Sequence, residues 1–167
     1  MNSWNIKGML AAAIVLPALS GAAWAGGSDD LGCSNATLKG DYAFSVLTIV
    51  AAAPVTPGVV IGLTTFDGKG GVTQIDFPGN GGMDLGLTAF RTGQTGSYTV
   101  NPNCTGFSTV NLGAGVGVTT NAFVISNGGR SVHAVIAAFT APDGTPATPL
   151  QSRIDLWKVG SEQEQQQ

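Results

Sequence analysis

Short apolar runs separated by glycine-rich turns fill most of this chain, and they constrain its fold more than any other feature. The runs are rich in Val, Thr, Ile and Phe or alternate apolar with polar residues, which is typical of β-strands. No window keeps a 3.6-residue apolar period for more than two turns. We therefore predict an all-β domain with no substantial helix beyond a single turn around residues 34–39.

Three of the turns carry hairpin chemistry. The segments 67–71 (DGKGG) and 127–129 (NGG) supply the positive φ angles that tight hairpins need, and Pro102 fixes φ in the bend at 101–103. Successive hairpins favour an antiparallel meander. We predict strands near residues 40–50, 58–66, 71–77, 84–91, 95–101, 106–112, 121–127, 130–140 and 150–159.

Eight or nine short antiparallel strands can close into an up-and-down β-barrel, and closure removes the exposed edges of an open sheet. This is the predicted fold, with a two-sheet β-sandwich as the alternative. The barrel domain is expected to span residues 26–159 as a single unit. Residues 160–167 (GSEQEQQQ) contain no core-forming side chain and predict a disordered polar tail.

The first 25 residues resemble a signal peptide. Lys7 precedes an apolar run over residues 9–19, and residues 23–25 (AWA) form a small-x-small cleavage pattern. The run is shorter than the roughly 20 residues that span a bilayer, and an uncleaved anchor is the alternative. The chain is therefore predicted to be exported, to the periplasm or the extracellular space.

Charge and aromatic content argue against a nucleic-acid partner and against an integral membrane protein. Only 10% of residues are charged, the formal net charge is −3, and loss of Lys7 with the leader makes it −4. The remaining basic residues are scattered singly, so no nucleic-acid partner is expected. Aromatic residues make up 7% of the chain, too few for the two girdles of a transmembrane barrel, so we do not expect an integral membrane protein.

The chain has two cysteines, Cys33 and Cys104, and one histidine. Export makes a disulfide between the cysteines chemically reasonable, and two separate free thiols are the alternative. Two cysteines and one histidine are too few ligands for a metal site at these spacings. We predict one disulfide and no metal or other cofactor.

Four segments share a pattern with a group of small exported bacterial proteins. They are "CSNATLKGDYAFSV", "FDGKGGVT", "GSYTVNPNCTG" and "FVISNGGRSVHAV", which lie between Cys33 and about Phe139. The group resembles calycin-type barrels of the lipocalin or allene-oxide-cyclase kind. The resemblance implies a barrel and an export route, but no established activity. Both cysteines recur together in the pattern, which supports their pairing.

Candidate ligand-binding residues lie on two strands. Arg153, Asp155 and Trp157 share one face of their strand, either a polar lumen or the outer wall. His133, the single histidine, has no nucleophile-elbow pattern near Ser131 or Ser126. It is predicted to be an ordinary polar strand position, with a ligand contact as the alternative. These four residues are the predicted binding set, and no catalytic residue is predicted.

Other charged residues are candidates for a functional site only if the fold brings them together or provides a cavity. Asp41 and Asp155 would form an acid–base pair if the first and last strands brought them together, and otherwise are two solvated charges. Arg91, Arg130 and Arg153 are the candidate anchors for an anionic group if a cavity exists, and the alternative for each is exposure on the outer wall.

The segment 132–139 (VHAVIAAF) is apolar on both faces. We expect the loop 141–149 to cover its outer face; an uncovered face would indicate a surface partner or self-association. The oligomeric state does not follow from the sequence.

The functional prediction is an exported binding or interaction module, not an enzyme, whose ligand is a small apolar molecule or a surface partner. Alternatives are a barrel isomerase or cyclase acting on a lipid-derived substrate, which rests on fold analogy, and a structural surface component.

Overall fold

The structure is a computed structural model, and it describes residues 32–50, 56–79, 87–113, 115–146 and 150–160. Within these residues eight antiparallel strands form a closed up-and-down barrel, in which each strand pairs with the next and the last pairs with the first. The strands are β1 (Lys39–Val50), β2 (Thr56–Asp67), β3 (Gly71–Pro78), β4 (Arg91–Val100), β5 (Thr105–Asn111), β6 (Val118–Ser126), β7 (Ser131–Thr140) and β8 (Leu150–Lys158).

The predicted barrel is confirmed, with eight strands in the described chain, and the sandwich alternative is wrong. The two strands predicted near 84–91 and 95–101 are replaced by β4, which begins only at Arg91; residues 87–90 are not in a strand, and residues 84–86 lie outside the described chain. Gly93 has a φ of 76° inside β4, and the β3–β4 register shifts between Gln74 and Asp76. This bulge explains why the segment reads as a break between two strands.

One end of the barrel is closed by the segment before β1, which contains a 3₁₀ turn at Asn35–Thr37, as predicted. Leu38 is fully buried there. The Asn35 side chain accepts a hydrogen bond from the Val100 amide at 2.8 Å and donates one to the Lys69 carbonyl. The Tyr98 hydroxyl lies 2.9 Å from the carbonyl oxygens of both Asn35 and Leu38. These contacts join the cap to two different hairpins.

The predicted disulfide joins this cap to the β4–β5 turn. Cys33 and Cys104 are bonded across a sequence separation of 71 residues, and the Cys33 amide donates to the Pro102 carbonyl. Cys104 has a φ of 65°, the left-handed conformation that a tight turn requires. A structural disulfide is typical of a protein that folds outside the reducing cytoplasm.

A layer of aromatic rings packs directly above the cap. The rings of Tyr42 and Phe66 meet edge to face at 5.3 Å between centroids, and those of Phe66 and Tyr98 do so at 4.9 Å. The Tyr42 hydroxyl donates to the Gly129 carbonyl. Burial raises the pKa of both tyrosines above the ordinary 10.0, so both hydroxyls stay protonated and available as donors at neutral pH.

Two inward-facing glycines make room for rings that cross the barrel. A Cβ at Gly62 would lie 2.2 Å from the Ile75 carbonyl oxygen and 2.5 Å from the Phe44 ring. A Cβ at Gly106 would meet the Thr99 carbonyl and the Phe123 ring equally closely. The strands can approach only because these positions lack side chains.

The predicted leader, residues 1–25, and most of the predicted tail, residues 161–167, lie outside the described chain. Among the residues that the structure describes, none belongs to a helix of the length and apolarity that crossing a membrane requires.

Candidate functional site

The barrel interior contains a cavity of about 140 Å³. The cavity begins above the aromatic layer, at Phe66, and extends toward the end of the barrel opposite the cap, where Thr48 and Arg91 line it near strand ends. Apolar side chains from seven of the eight strands form most of its wall. They are Phe44, Val46, Val60, Phe66, Val72, Val110, Phe123, Val132, Ala134, Ile136, Ile154 and Leu156, with Leu112 just beyond β5.

One side of the cavity is polar. A chain of hydrogen bonds crosses the inner face of β2, β3 and β4: Thr64 donates to Gln74 at 3.1 Å, Gln74 to Gln94 at 2.8 Å, and Gln94 to Asp76 at 2.7 Å. Thr64, Gln74 and Asp76 line the cavity, and Gln94 is 1% exposed beside them. We call this chain, together with Arg91, the polar wall.

The polar wall ends in an ion pair. Arg91 donates from Nε to Asp76 Oδ1 at 2.8 Å and from Nη2 to Oδ2 at 2.6 Å, a two-point contact that matches the guanidinium to the carboxylate. Asp76 is only 2% exposed. Such a buried carboxylate needs a partner of this kind, because an isolated charge is strongly destabilised away from water.

A second polar pair lies on β5 and β6. Asn121 and Ser108 both line the cavity, and Asn121 Nδ2 lies 3.2 Å from the Ser108 hydroxyl. The Asn121 Oδ1 is buried and has no hydrogen-bond partner among the described residues. Leaving a buried acceptor unpaired costs about 1–3 kcal/mol. This unpaired acceptor is therefore a locally destabilising feature of the barrel wall.

Sequence reasoning named Arg91 as a candidate anchor but gave Asp76, Gln74 and Asn121 no role. The signal for the first two is present in β3, where Gln74 and Asp76 share a face with the apolar Val72. Polar residues on the same face as a core residue indicate a polar position inside the barrel. Asn121 carries the same signal, because it shares a face of β6 with Phe123 and Ile125.

The predicted binding residues lie on the outer wall, where three of them meet. His133 and Asp155 are directly opposite on β7 and β8, and His133 Nδ1 lies 2.8 Å from Asp155 Oδ1; Arg153 Nε is 2.7 Å from Asp155 Oδ2. The hydrogen bond from His133, and then that from Arg153, lowers the pKa of Asp155 below its ordinary 3.8. The side chains of His133 and Arg153 are 56% and 76% exposed.

We call His133, Asp155 and Arg153 the outer triad. Trp157, the fourth predicted residue, is also outward and 49% exposed. None of the four side chains lines the cavity. The face that Arg153, Asp155 and Trp157 share is therefore the outer wall and not a polar lumen. Their role in ligand binding stays a prediction.

The outer triad lines one side of an open, mostly apolar groove across β5, β6, β7 and β8. Phe107, Val124 and Val135 line it, and each is about half exposed. The expectation that the outer face of residues 132–139 is buried is wrong for Val135, which is 49% exposed, and for Ala137 and Ala138.

Two other charge predictions are not matched by the geometry. β1 does pair with β8, but the register places Asp155 opposite Ser45, four residues from Asp41. Asp41 instead accepts a hydrogen bond from Thr65 on β2 at 2.6 Å. Arg130 is exposed in the β6–β7 turn.

The fold and site define a class: a small disulfide-bonded antiparallel barrel with an interior cavity that is apolar on most sides and polar on one. Comparison with protein-family models, with curated proteins and with solved structures finds no match to this chain.

Proposed function

We propose that this protein is an exported, non-enzymatic binding module that holds a small, largely apolar molecule inside the barrel. The observation that carries this proposal is the cavity of about 140 Å³, with its largely apolar wall. Pockets of this kind, mostly apolar with a few placed polar groups, are the usual form of a small-molecule site.

The cavity volume limits the ligand. An apolar cavity of about 150 Å³ in another protein accommodates benzene, so a ligand of roughly six to nine non-hydrogen atoms matches the space here. A long-chain lipid would extend well beyond it. The proposed ligand class is therefore a single-ring or short-chain molecule.

The proposed location is the periplasm or the extracellular space. The disulfide and the leader-like first 25 residues both support export. The pattern shared with small exported bacterial barrels supports the same route.

Binding is favoured over an isomerase or cyclase. Such an enzyme needs polar groups such as His133, Asp155 or Arg153 to converge on a wet pocket, and these three line only an open, mostly apolar groove on the outer wall. The charged groups that do line the cavity, Asp76 and Arg91, are bonded to each other. A general acid or base needs a free position within reach of the substrate proton.

Toluene binding tests the proposal, measured by ligand-observed NMR and by the shift in melting temperature. The wild-type protein should bind toluene, and Ala134→Leu, which places a larger side chain in the cavity wall, should reduce the affinity at least tenfold. Ala122→Leu is the matched control, because Ala122 lies one strand away in the outer groove. Equal binding by all three proteins, or no binding by any, would contradict the proposal.

A surface role is the second candidate, supported by the exposure of Phe107, Val124 and Val135 in one groove. Contiguous exposed apolar residues are typical of interaction sites. Light scattering over a range of concentrations should then show association that Val124→Lys abolishes and Thr109→Lys, on the outer face of β5, does not. A strictly monomeric protein at all concentrations would remove self-assembly.

A further inference from the structure

We propose that this protein forms a two-fold symmetric dimer through the outer face of β1, β2 and β3, with a second copy of the chain as its partner. We call this surface the β1–β3 face. Its exposed apolar side chains are Leu47, Ile49, Val59, Ile61 and Ile75, with Phe90 beside them just before β4. The proposal does not depend on what the cavity binds, and the face uses different strands from the groove across β5 to β8.

The apolar side chains of the β1–β3 face form one continuous surface. Leu47 on β1 lies directly opposite Val59 on β2. Ile61 on β2 lies directly opposite Phe77 on β3, and the ring of Phe77 packs against that of Phe90 at 5.7 Å between centroids. The exposed members are each 36–52% exposed. Contiguous exposed apolar side chains of this kind mark an interaction surface.

The β1–β3 face carries no charge. Residues 43–49 and 59–65 contain no charged side chain, and Asp76, the single one in residues 73–77, lines the cavity inside the barrel. A two-fold contact brings the same surface of both copies together, so a net charge on that surface would meet itself. An uncharged face avoids this repulsion. It also lacks the Lys and Arg side chains that attract proteins to an anionic lipid surface.

Polar groups flank the β1–β3 face on both sides. On β8, Arg153 lies directly opposite Leu47, and its guanidinium contacts Asp155 at 2.7 Å. On β4, Thr95 and Ser97 are exposed. An apolar centre with a polar rim is the usual arrangement of a protein–protein interface.

The size of the face also fits a second copy. Three strands about 4.8 Å apart and seven residues long, at about 3.3 Å per residue, cover roughly 15 by 23 Å. A standard interface buries about 800 Å² of accessible surface on each partner, including its polar rim. The β1–β3 face therefore provides the apolar centre of such an interface, and the exposed residues of β4 and β8 provide its rim.

Sedimentation velocity of the intact disulfide-bonded protein, between about 1 µM and about 1 mM, tests the proposal without any variant. The wild-type protein should change from monomer to dimer and grow no further, because a two-fold contact closes on itself. The dimer should persist in about 1 M sodium chloride, where screening acts over about 3 Å. A monomer at every concentration, open-ended growth, or dissociation by salt would overturn the proposal.

Two lysine substitutions test the location of the interface. Ile61→Lys and Leu47→Lys, on adjacent strands, should each raise the dissociation constant at least about a hundredfold, since each places like charges together across the two-fold axis. Thr109→Lys, on the exposed outer face of β5, is the matched control and should dimerise as wild type does. Near-UV circular dichroism of each variant verifies its fold.

Two other outcomes would assign the face differently. If Val124→Lys abolished the dimer while Ile61→Lys and Leu47→Lys preserved it, the interface would lie in the groove across β5 to β8, and the proposal would be overturned. It would also be overturned by a wild-type protein that stays monomeric and co-sediments with phosphatidylcholine vesicles, because lipid would then be the occupant of the face.

Discussion

Removing the disulfide should destabilise the barrel by about 4 kcal/mol. The bond closes a loop of 71 residues between Cys33 and Cys104. In the chain-entropy model, a loop of that length removes about 15 cal/mol/K from the unfolded chain, which is about 4.4 kcal/mol at 25 °C. This is a large part of the 5–15 kcal/mol that typical domains possess.

The assay is urea unfolding followed by circular dichroism, with wild-type protein compared to two double variants. Cys33→Ala with Cys104→Ala removes the bond and leaves a side chain at the left-handed position, where φ is 65°. Cys33→Ala with Cys104→Gly removes the bond and also relieves that conformation, so it should be more stable than the alanine pair by about 1 kcal/mol. The two variants thus separate the cross-link from the turn.

A loss below about 1.5 kcal/mol in both variants would refute the reasoning, because closure of so long a loop would then contribute little. If the double variant with Cys104→Ala is as stable as the one with Cys104→Gly, the left-handed conformation at position 104 does not destabilise the turn.

Three further predictions concern the interior and the outer triad. Gly62→Ala should lower the free energy of unfolding by about 1–3 kcal/mol, because the new Cβ would clash with the Ile75 carbonyl oxygen. Gly58→Ala is the control: its Cβ would meet nothing closer than 4.0 Å, so it should change the free energy of unfolding by at most about 0.5 kcal/mol. Urea titration measures both. Asp76→Leu alone should cost about 3–5 kcal/mol, because Arg91 is left buried and unpaired, whereas Asp76→Leu with Arg91→Met should recover most of that loss, apart from about 1–3 kcal/mol for the buried Gln94 donor that no longer meets Asp76. The pKa of Asp155 is lower in the folded protein than its ordinary value of 3.8, so its ionised form stabilises the fold at any pH above 3.8. This stabilisation is lost as the pH falls through the folded-state pKa. The difference in unfolding free energy between wild type and Asp155→Asn should therefore be full at pH 6 and should disappear below the folded-state pKa.

Each of these has an outcome that contradicts it. Equal stability of the two glycine variants would mean that strand spacing at Gly62 adjusts freely. A double variant at the ion pair as unstable as the single variant would show that the cost is not an unpaired charge. A gap at Asp155 that widens as the pH falls would reverse the sign of the linkage.

Much of the fold follows from local properties of the chain. Period-two alternation in segments such as 42–46, and the Asp-Gly and Asn-Gly turns, predict antiparallel strands, because both depend only on neighbouring residues. The turn at Cys104 and the 3₁₀ turn near residue 35 follow from the same local chemistry. The leader-like start and the two cysteines together predict the disulfide.

Other features depend on how distant segments meet, and only the tertiary structure decides them. Alternation places Arg153, Asp155 and Trp157 on one face but is equally consistent with either side of the wall; curvature of the closed sheet puts them outside. The pairing of Asp76 with Arg91 depends on the β3–β4 register, which the bulge at Gly93 shifts. The unpaired oxygen of Asn121 and the cavity itself exist only once eight strands have closed, because both are properties of the space between strands that are far apart in the chain.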